Sequence, residues 1–333
     1  MWQTTLTTVS LTIAIVSLSL GVTKAAAARR QPGPALKLTA SVLLFAGVIF
    51  LLATPPIYRW FGSTAHSSNL PALAIDTFTL VCVGHAHYMT LLWHPQRHTP
   101  EARRQAVRAW RPFYLAAIAL MLILYAIADL PGAAAPLHFA PHYARVPAVT
   151  ALKIVYFTAL IGAIVATMVL CRQVALPDRP DLAHDVRRCV LWFALAVGLD
   201  LATAAFTLGS MASVLIRGDH ALDVLADASW VATILSGIAA NQSLGRMVLA
   251  TTRSDRLDCR RLKPLWTLVT ADAPHLFIPT VWWRDSRIRL DRMMLETLDG
   301  ARSVQPAASP GRASASPVAV PRFGFFTSRY KSH

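Results

Sequence analysis

Charge is scarce in this chain. Only 15% of its 333 residues are charged, against 55% hydrophobic, whereas a soluble domain is nearer a quarter charged. That shortage excludes an ordinary water-soluble globule. Cysteine is scarce as well. Cys82, Cys171, Cys189 and Cys259 are the whole complement and none stands in a CxxC spacing, so neither a disulfide framework nor a zinc site is expected. The chain has no P-loop, no G-x-S-x-G and no H-E-x-x-H, which removes the chemistry those motifs carry. We expect no enzyme, no catalytic residue and no cofactor. Within the apolar runs histidine occurs only at His85 and His87. A transmembrane bis-His haem needs ligands from facing helices, and none is offered. The pair itself diverges by about 200° around a helix, so it does not suit a metal.

What the chain does have is length of apolar sequence. Seven runs, near 4–23, 35–57, 70–92, 113–130, 149–170, 190–210 and 221–241, reach the roughly 17–25 residues needed to span hydrocarbon. The expected fold class is all-α, an integral membrane seven-helix bundle over residues 1–245. The first run carries no Lys or Arg before it, while Lys24, Arg29 and Arg30 follow it. A signal peptide has the reverse order, so this run is expected to stay as a helix with the N-terminus outside.

Basic residues then alternate. Lys24, Arg29, Arg30 and Lys37 follow the first run; Arg97, Arg103, Arg104, Arg108 and Arg111 follow the third; Arg172, Arg179, Arg187 and Arg188 follow the fifth. The opposite connections hold only Arg59, Arg145 and Arg217. By the positive-inside rule the chain is N-out and C-in, in the cytoplasmic membrane. Thr99, Pro100 and Glu101 suit a short helical turn in the third connection, with Pro112 bending the chain into the fourth run. The stretch 131–148 is proline-rich and expected to be irregular.

Ionisable groups inside a span are costly unless paired or hydrated, and are functional candidates by default. The third run carries Asp76 and His87, eleven positions apart and about 20° from eclipsed on a helix. Val83 and His94 share that stripe, whereas His85 points away. Lys153, Asp200, Thr203 and Asp227 are the other candidates. Lys153 is expected to pair with Asp76 or Asp227, or else to snorkel to the interface. Asp200, Thr203 and Thr207 form a polar stripe that should face the bundle interior, either as a site or as a structural interhelical hydrogen bond.

After the seventh run the composition changes. Arg253, Arg256, Arg260, Arg261 and Lys263 form a basic juxtamembrane segment, expected to attract anionic lipid and not nucleic acid. Residues 246–300 are expected to form a small cytoplasmic helical domain. Its last helix, about 285–299, has a seam of Leu290, Met294 and Leu298, flanked by Met293. Such a seam suits a cytoplasmic protein partner or a second copy of the chain. Residues 301–333, rich in Ser, Ala, Pro and Arg, read as a disordered basic tail.

Leu262, Pro264, Leu265, Trp266, Leu268 and Pro274, followed by Leu290, Arg292, Glu296 and Asp299, resemble the C-terminal domain of an actinobacterial family of multi-pass membrane proteins commonly labelled as transporters. The resemblance covers about residues 1–300 and implies seven helices followed by a cytoplasmic domain of unknown function. This chain departs from the pattern at Asp291, where an aromatic residue is expected, and at Thr297, where an aliphatic one is expected. The family supplies no substrate and no catalytic residue. Two functional readings follow. A signalling or regulatory membrane protein acting through residues 253–299 is favoured slightly by the odd helix count and the last helix. A small-solute or proton-coupled transporter would use Asp76, His87, Asp200 and Asp227.

Overall fold

The computed structural model describes residues 2–30, 33–93, 100–130, 135, 138–175, 184–217, 223–272, 290 and 292–298. These residues are helical or lie in short connections, with no strand among them. In order the elements are α1 (Trp2–Arg30), α2 (Pro34–Leu52), α3 (Pro55–Thr64), α4 (Leu70–Trp93), α5 (Pro100–Ile127), α6 (Phe139–His142), α7 (Pro147–Ala175), α8 (His184–Arg217) and α9 (Asp223–Asp272). A last helical stretch covers 292–298. Seven segments, within α1, α2, α4, α5, α7, α8 and α9, are long and apolar enough to cross a membrane. The chain is a multi-pass membrane protein built as a helical bundle.

Helix ends differ from the sequence reading in three places. The second span stops at Leu52 and not near 57, because Pro55 and Pro56 have no N–H to continue the ladder. They start α3 instead, where proline is tolerated in the first turn. Pro112 does not bend the chain between elements. It sits inside α5, which runs unbroken from Pro100 to Ile127, so Arg104, Arg108 and Arg111 lie exposed on a helix and not in a loop. The seventh span runs from Val224 to Arg246, close to the expected 221–241, but its helix does not end there, since α9 continues to Asp272 through Pro264. The stretch 131–148, expected to be irregular, contains the short helix α6, with Phe139, Ala140 and Pro141 buried.

The chain divides into two compact units, Met1–Thr251 and Thr252–His333. In the first, α7 is the central helix and packs on α4, α5 and α8. Leu152, Phe157, Leu160 and Ile164 of α7 anchor the main core. Peripheral α5 turns Leu115, Leu120, Leu122, Ile123 and Ile127 outward. Lipid accepts such an apolar belt at no cost, whereas water would not. Helices α1 and α2 approach closely through glycine. A Cβ on Gly21 would lie 2.9 Å from Leu44, and one on Gly47 would lie 2.6 Å from Leu18, the close backbone contact that membrane helices use when no hydrophobic drive separates protein from lipid.

In the second unit, Cys259 and Trp266 of α9 pack against Leu290 and Met293, with Leu262 and Met294 at the edge. The expected seam of Leu290, Met294 and Leu298 is therefore corrected. Leu298 is 57% exposed, while Met293 and Thr297 are buried. The buried face is Leu290–Met293–Thr297, at helical spacing, because that is the face that meets positions 259, 262 and 266. Thr297 fits where an aliphatic residue was expected because its hydroxyl donates to the Met293 carbonyl. Pro274, Asp291, Asp299 and the tail 301–333 lie outside the described residues, as does His94.

Candidate functional site

The first unit holds a cavity of about 280 Å³, just below the usual range for small-molecule sites. Four of the residues singled out from sequence line it: Asp76, Lys153, Asp200 and Thr203. They come from three helices, Asp76 from α4, Lys153 from α7, and Asp200 and Thr203 from α8, and helical periodicity explains how. On α4, Asp76 and Val83 are seven residues apart and fall on the face turned into the bundle. On α8, Asp200, Thr203 and Thr207 share one face by the same spacing, and all three reach the cavity.

Lys153 and Asp76 form an ion pair, Nζ to Oδ2 2.6 Å, with both side chains buried. This is one of the pairings the sequence left open. Lys153 does not snorkel to the interface. Its ammonium also lies 5.3 Å from the ring centres of Phe139 and of Tyr156, within the range of cation–π attraction. A charge at this depth is tolerated because its partner is in place. Removing either member leaves the other buried and uncompensated, which costs about 3–5 kcal/mol.

Asp200 stands differently. No Lys or Arg pairs with it among the described residues. Ser236 of α9 lies within hydrogen-bonding reach of its carboxylate. Hydroxyl groups continue the polar wall. Thr207 Oγ1 and Ser229 Oγ are 2.7 Å apart, and Thr203 Oγ1 and Thr233 Oγ1 are 3.2 Å apart. The Asp200–Thr203–Thr207 stripe thus seams α8 to α9 while one edge faces the cavity. Further along α9, Asn241 Nδ2 donates to Ser17 Oγ of α1 at 2.9 Å. The rest of the wall is mostly apolar, with Phe50, Ile49, Phe157, Phe193 and Val197 prominent.

At the Asp76 end the cavity is bounded by Tyr58 of α3 and by Phe139–Pro141 of α6. A buried amide ties this cover together. Asn69 Nδ2 donates to the Tyr143 hydroxyl at 2.8 Å, while its Oδ1 accepts from the Tyr58 hydroxyl at 3.4 Å and from the Ala135 N–H at 3.3 Å. Sequence reasoning missed Tyr58, Asn69 and Tyr143. They flank spans, where polar residues are ordinary, and carry no periodic signal. It also missed Ser229, Thr233 and Ser236. Their spacing of four and three residues on α9 was a readable signal of one polar face.

Two candidates fall elsewhere. His87 turns inward as expected of its stripe and is 1% exposed, yet it does not line the cavity. Its Nδ1 is 3.0 Å from the Tyr114 hydroxyl, and Trp110 stands edge-on to its ring at 4.7 Å between centres. This is a packed aromatic cluster joining α4 to α5. Asp227 is half-buried and is not among the cavity-lining residues. His85 faces α2 and stacks on Phe45.

In the second unit the sequence motif forms a compact polar contact. Trp266 Nε1 donates to Glu296 Oε2 at 2.7 Å, and Arg292 Nε donates to Glu296 Oε1 at 3.0 Å. Leu265 and Leu268 are exposed, as is Pro264. The contact is structural: it fastens helix 292–298 to α9 through the Trp266 indole N–H, a donor that seeks an acceptor when buried.

These features define a class, a seven-span membrane protein with an ion pair and a separate acid facing one intramembrane cavity. A family model described as a family of unknown function (DUF6545) matches residues 250–324, a stretch that includes the motif from Leu262 to Asp299. No curated protein and no solved structure matches the chain.

Proposed function

We propose that this chain is a regulatory membrane protein in which a small molecule held in the bundle cavity is read out through the C-terminal helical unit. The observation that carries the reading is the cavity itself, where Asp76, Lys153 and Asp200 from three helices face one space. Membrane bundles tolerate ionisable groups chiefly where they serve a site. The C-terminal unit supplies an output element, and α9 bears both the hydroxyl wall of the cavity and Trp266. The thirteen-to-three bias of basic residues between alternate connections supports an N-out, C-in orientation, which puts that unit beside cytoplasmic partners and anionic lipid.

A second reading is a small-solute transporter using the same cavity. It is favoured by the polar groups that line the cavity, Lys153, Asp200, Asn241 and Ser17 among them, and by the resemblance to an actinobacterial family labelled as transporters. One experiment separates them. In the full chain in nanodiscs, Ala196→Phe narrows the cavity from its own wall. On the regulatory reading, amide hydrogen exchange across 259–298 changes by at least several-fold while helix content is kept. Unchanged exchange there, with solute flux lost in proteoliposomes, selects the transporter.

A further inference from the structure

The charges on the cavity wall do not balance, and the imbalance selects a ligand. Asp76 and Asp200 supply two negative charges, and Lys153 supplies one positive. Lys153 is already spent: it sits 2.6 Å from Asp76 and is flanked by the rings of Phe139 and Tyr156. An anionic ligand would have to displace Asp76 from it and leave that carboxylate buried without a partner. Asp200 is the acid left over. It faces the cavity with a hydroxyl, Ser236, as its neighbour and no cation within ion-pair distance among the described residues. The cavity wall is mostly carbon, and Phe50, Phe193 and Trp230 are among the aromatic residues that line it, a residue type whose ring face attracts a cation. No group of three or more metal-ligating residues occurs among the described residues.

We propose that the cavity binds a small hydrophobic amine as its ammonium ion, with the charged nitrogen on Asp200 and the hydrocarbon body against the apolar wall. Thr203 and Ser236 accept the remaining ammonium hydrogens, since an –NH₃⁺ group has three donors to satisfy. The size of the cavity limits the body to a short chain or a single ring. The inference rests on the cavity being a ligand site and adds the charge and polarity of what enters it.

The test uses the full chain in nanodiscs, titrated calorimetrically at neutral pH with n-hexylamine, 1-hexanol, hexanoate and sodium chloride, with protein-free nanodiscs as the blank. An alkylamine is protonated there, like a lysine side chain. Hexylammonium should bind at least ten-fold more tightly than hexanol or hexanoate. Asp200→Asn should weaken hexylammonium at least ten-fold and leave hexanol unchanged. Equal binding of hexanol or hexanoate, or an indifferent Asp200→Asn, overturns the ammonium assignment while the cavity stands as a ligand site. Sodium binding that excludes the amine also overturns it, in favour of an inorganic cation. No binding by any probe overturns both the assignment and the ligand-site reading. The ligand series on the unaltered chain decides the question even if Asp200→Asn does not fold.

Discussion

Two ion pairs occur among the described residues, and they stand in opposite circumstances. Lys153 and Asp76 are 77 positions apart in sequence, on different helices, and both buried. Arg292 and Glu296 are four apart on one helix, and the Arg292 side chain is 30% exposed. The first pair can form only if the bundle assembles, because the sites meet through tertiary packing. The second forms whenever that stretch is helical, in the weaker of the two orientations along the helix. Glu296 becomes important in the second unit through a different partner, the Trp266 indole across the helix pair. The difference separates charge as a condition of assembly from charge as a local trim.

The largest way to break this contrast is Asp76→Asn. It should lower the unfolding stability of the bundle by about 3–5 kcal/mol, since Lys153 is left buried and unmatched. Chemical unfolding in mixed micelles measures it, and the double change Asp76→Asn with Lys153→Met should recover most of the loss. Gly237→Val comes next. Its Cβ would fall 2.4 Å from Phe50 Cζ at the cavity wall, and such overpacking costs about 1–3 kcal/mol. A thermal shift of the whole chain reports it, and Phe50→Leu in the same chain should relieve it.

In the second unit, Trp266→Phe keeps an aromatic body but takes the donor from Glu296 Oε2. A buried acceptor left unmatched costs about 1–3 kcal/mol, read as faster hydrogen exchange over 292–298. Smallest is Arg292→Ala, expected to cost less than about 1 kcal/mol because the pair is partly exposed and screened. A double-mutant cycle with Glu296→Gln isolates it. If Arg292→Ala proved as damaging as Asp76→Asn, burial would not be what distinguishes the two pairs.

The helix content and the seven spans were legible in the sequence because hydrocarbon thickness fixes a minimum apolar length. Helix ends were less so. The structure stops α2 at Leu52 and carries α5 through Pro112 and α9 past Asn241. Hydropathy marks where a chain leaves hydrocarbon, not where its backbone hydrogen bonds stop, and a helix can continue into water. Within the candidate site, periodicity placed Asp76, Val83 and His87 on one face, and Asp200, Thr203 and Thr207 on another. It could not say which faces meet. Asp76 met Lys153, and His87 met Tyr114, because α4 packs on α7 along part of its length and on α5 along another. The seam of the last helix went to Met293 and not Leu298 for the same reason, since the partner face chose it.

The sequence by itself determined the class of the protein. A chain this apolar, with too few charges for water and seven runs of spanning length, has no other stable state than a membrane bundle, because every backbone polar group in hydrocarbon must be satisfied within a helix. Only the tertiary structure decided the site. The cavity, the pairing of Lys153 with Asp76 and the isolation of Asp200 depend on how helices far apart in sequence neighbour one another, and helical periodicity gives each helix its polar face without naming its neighbour.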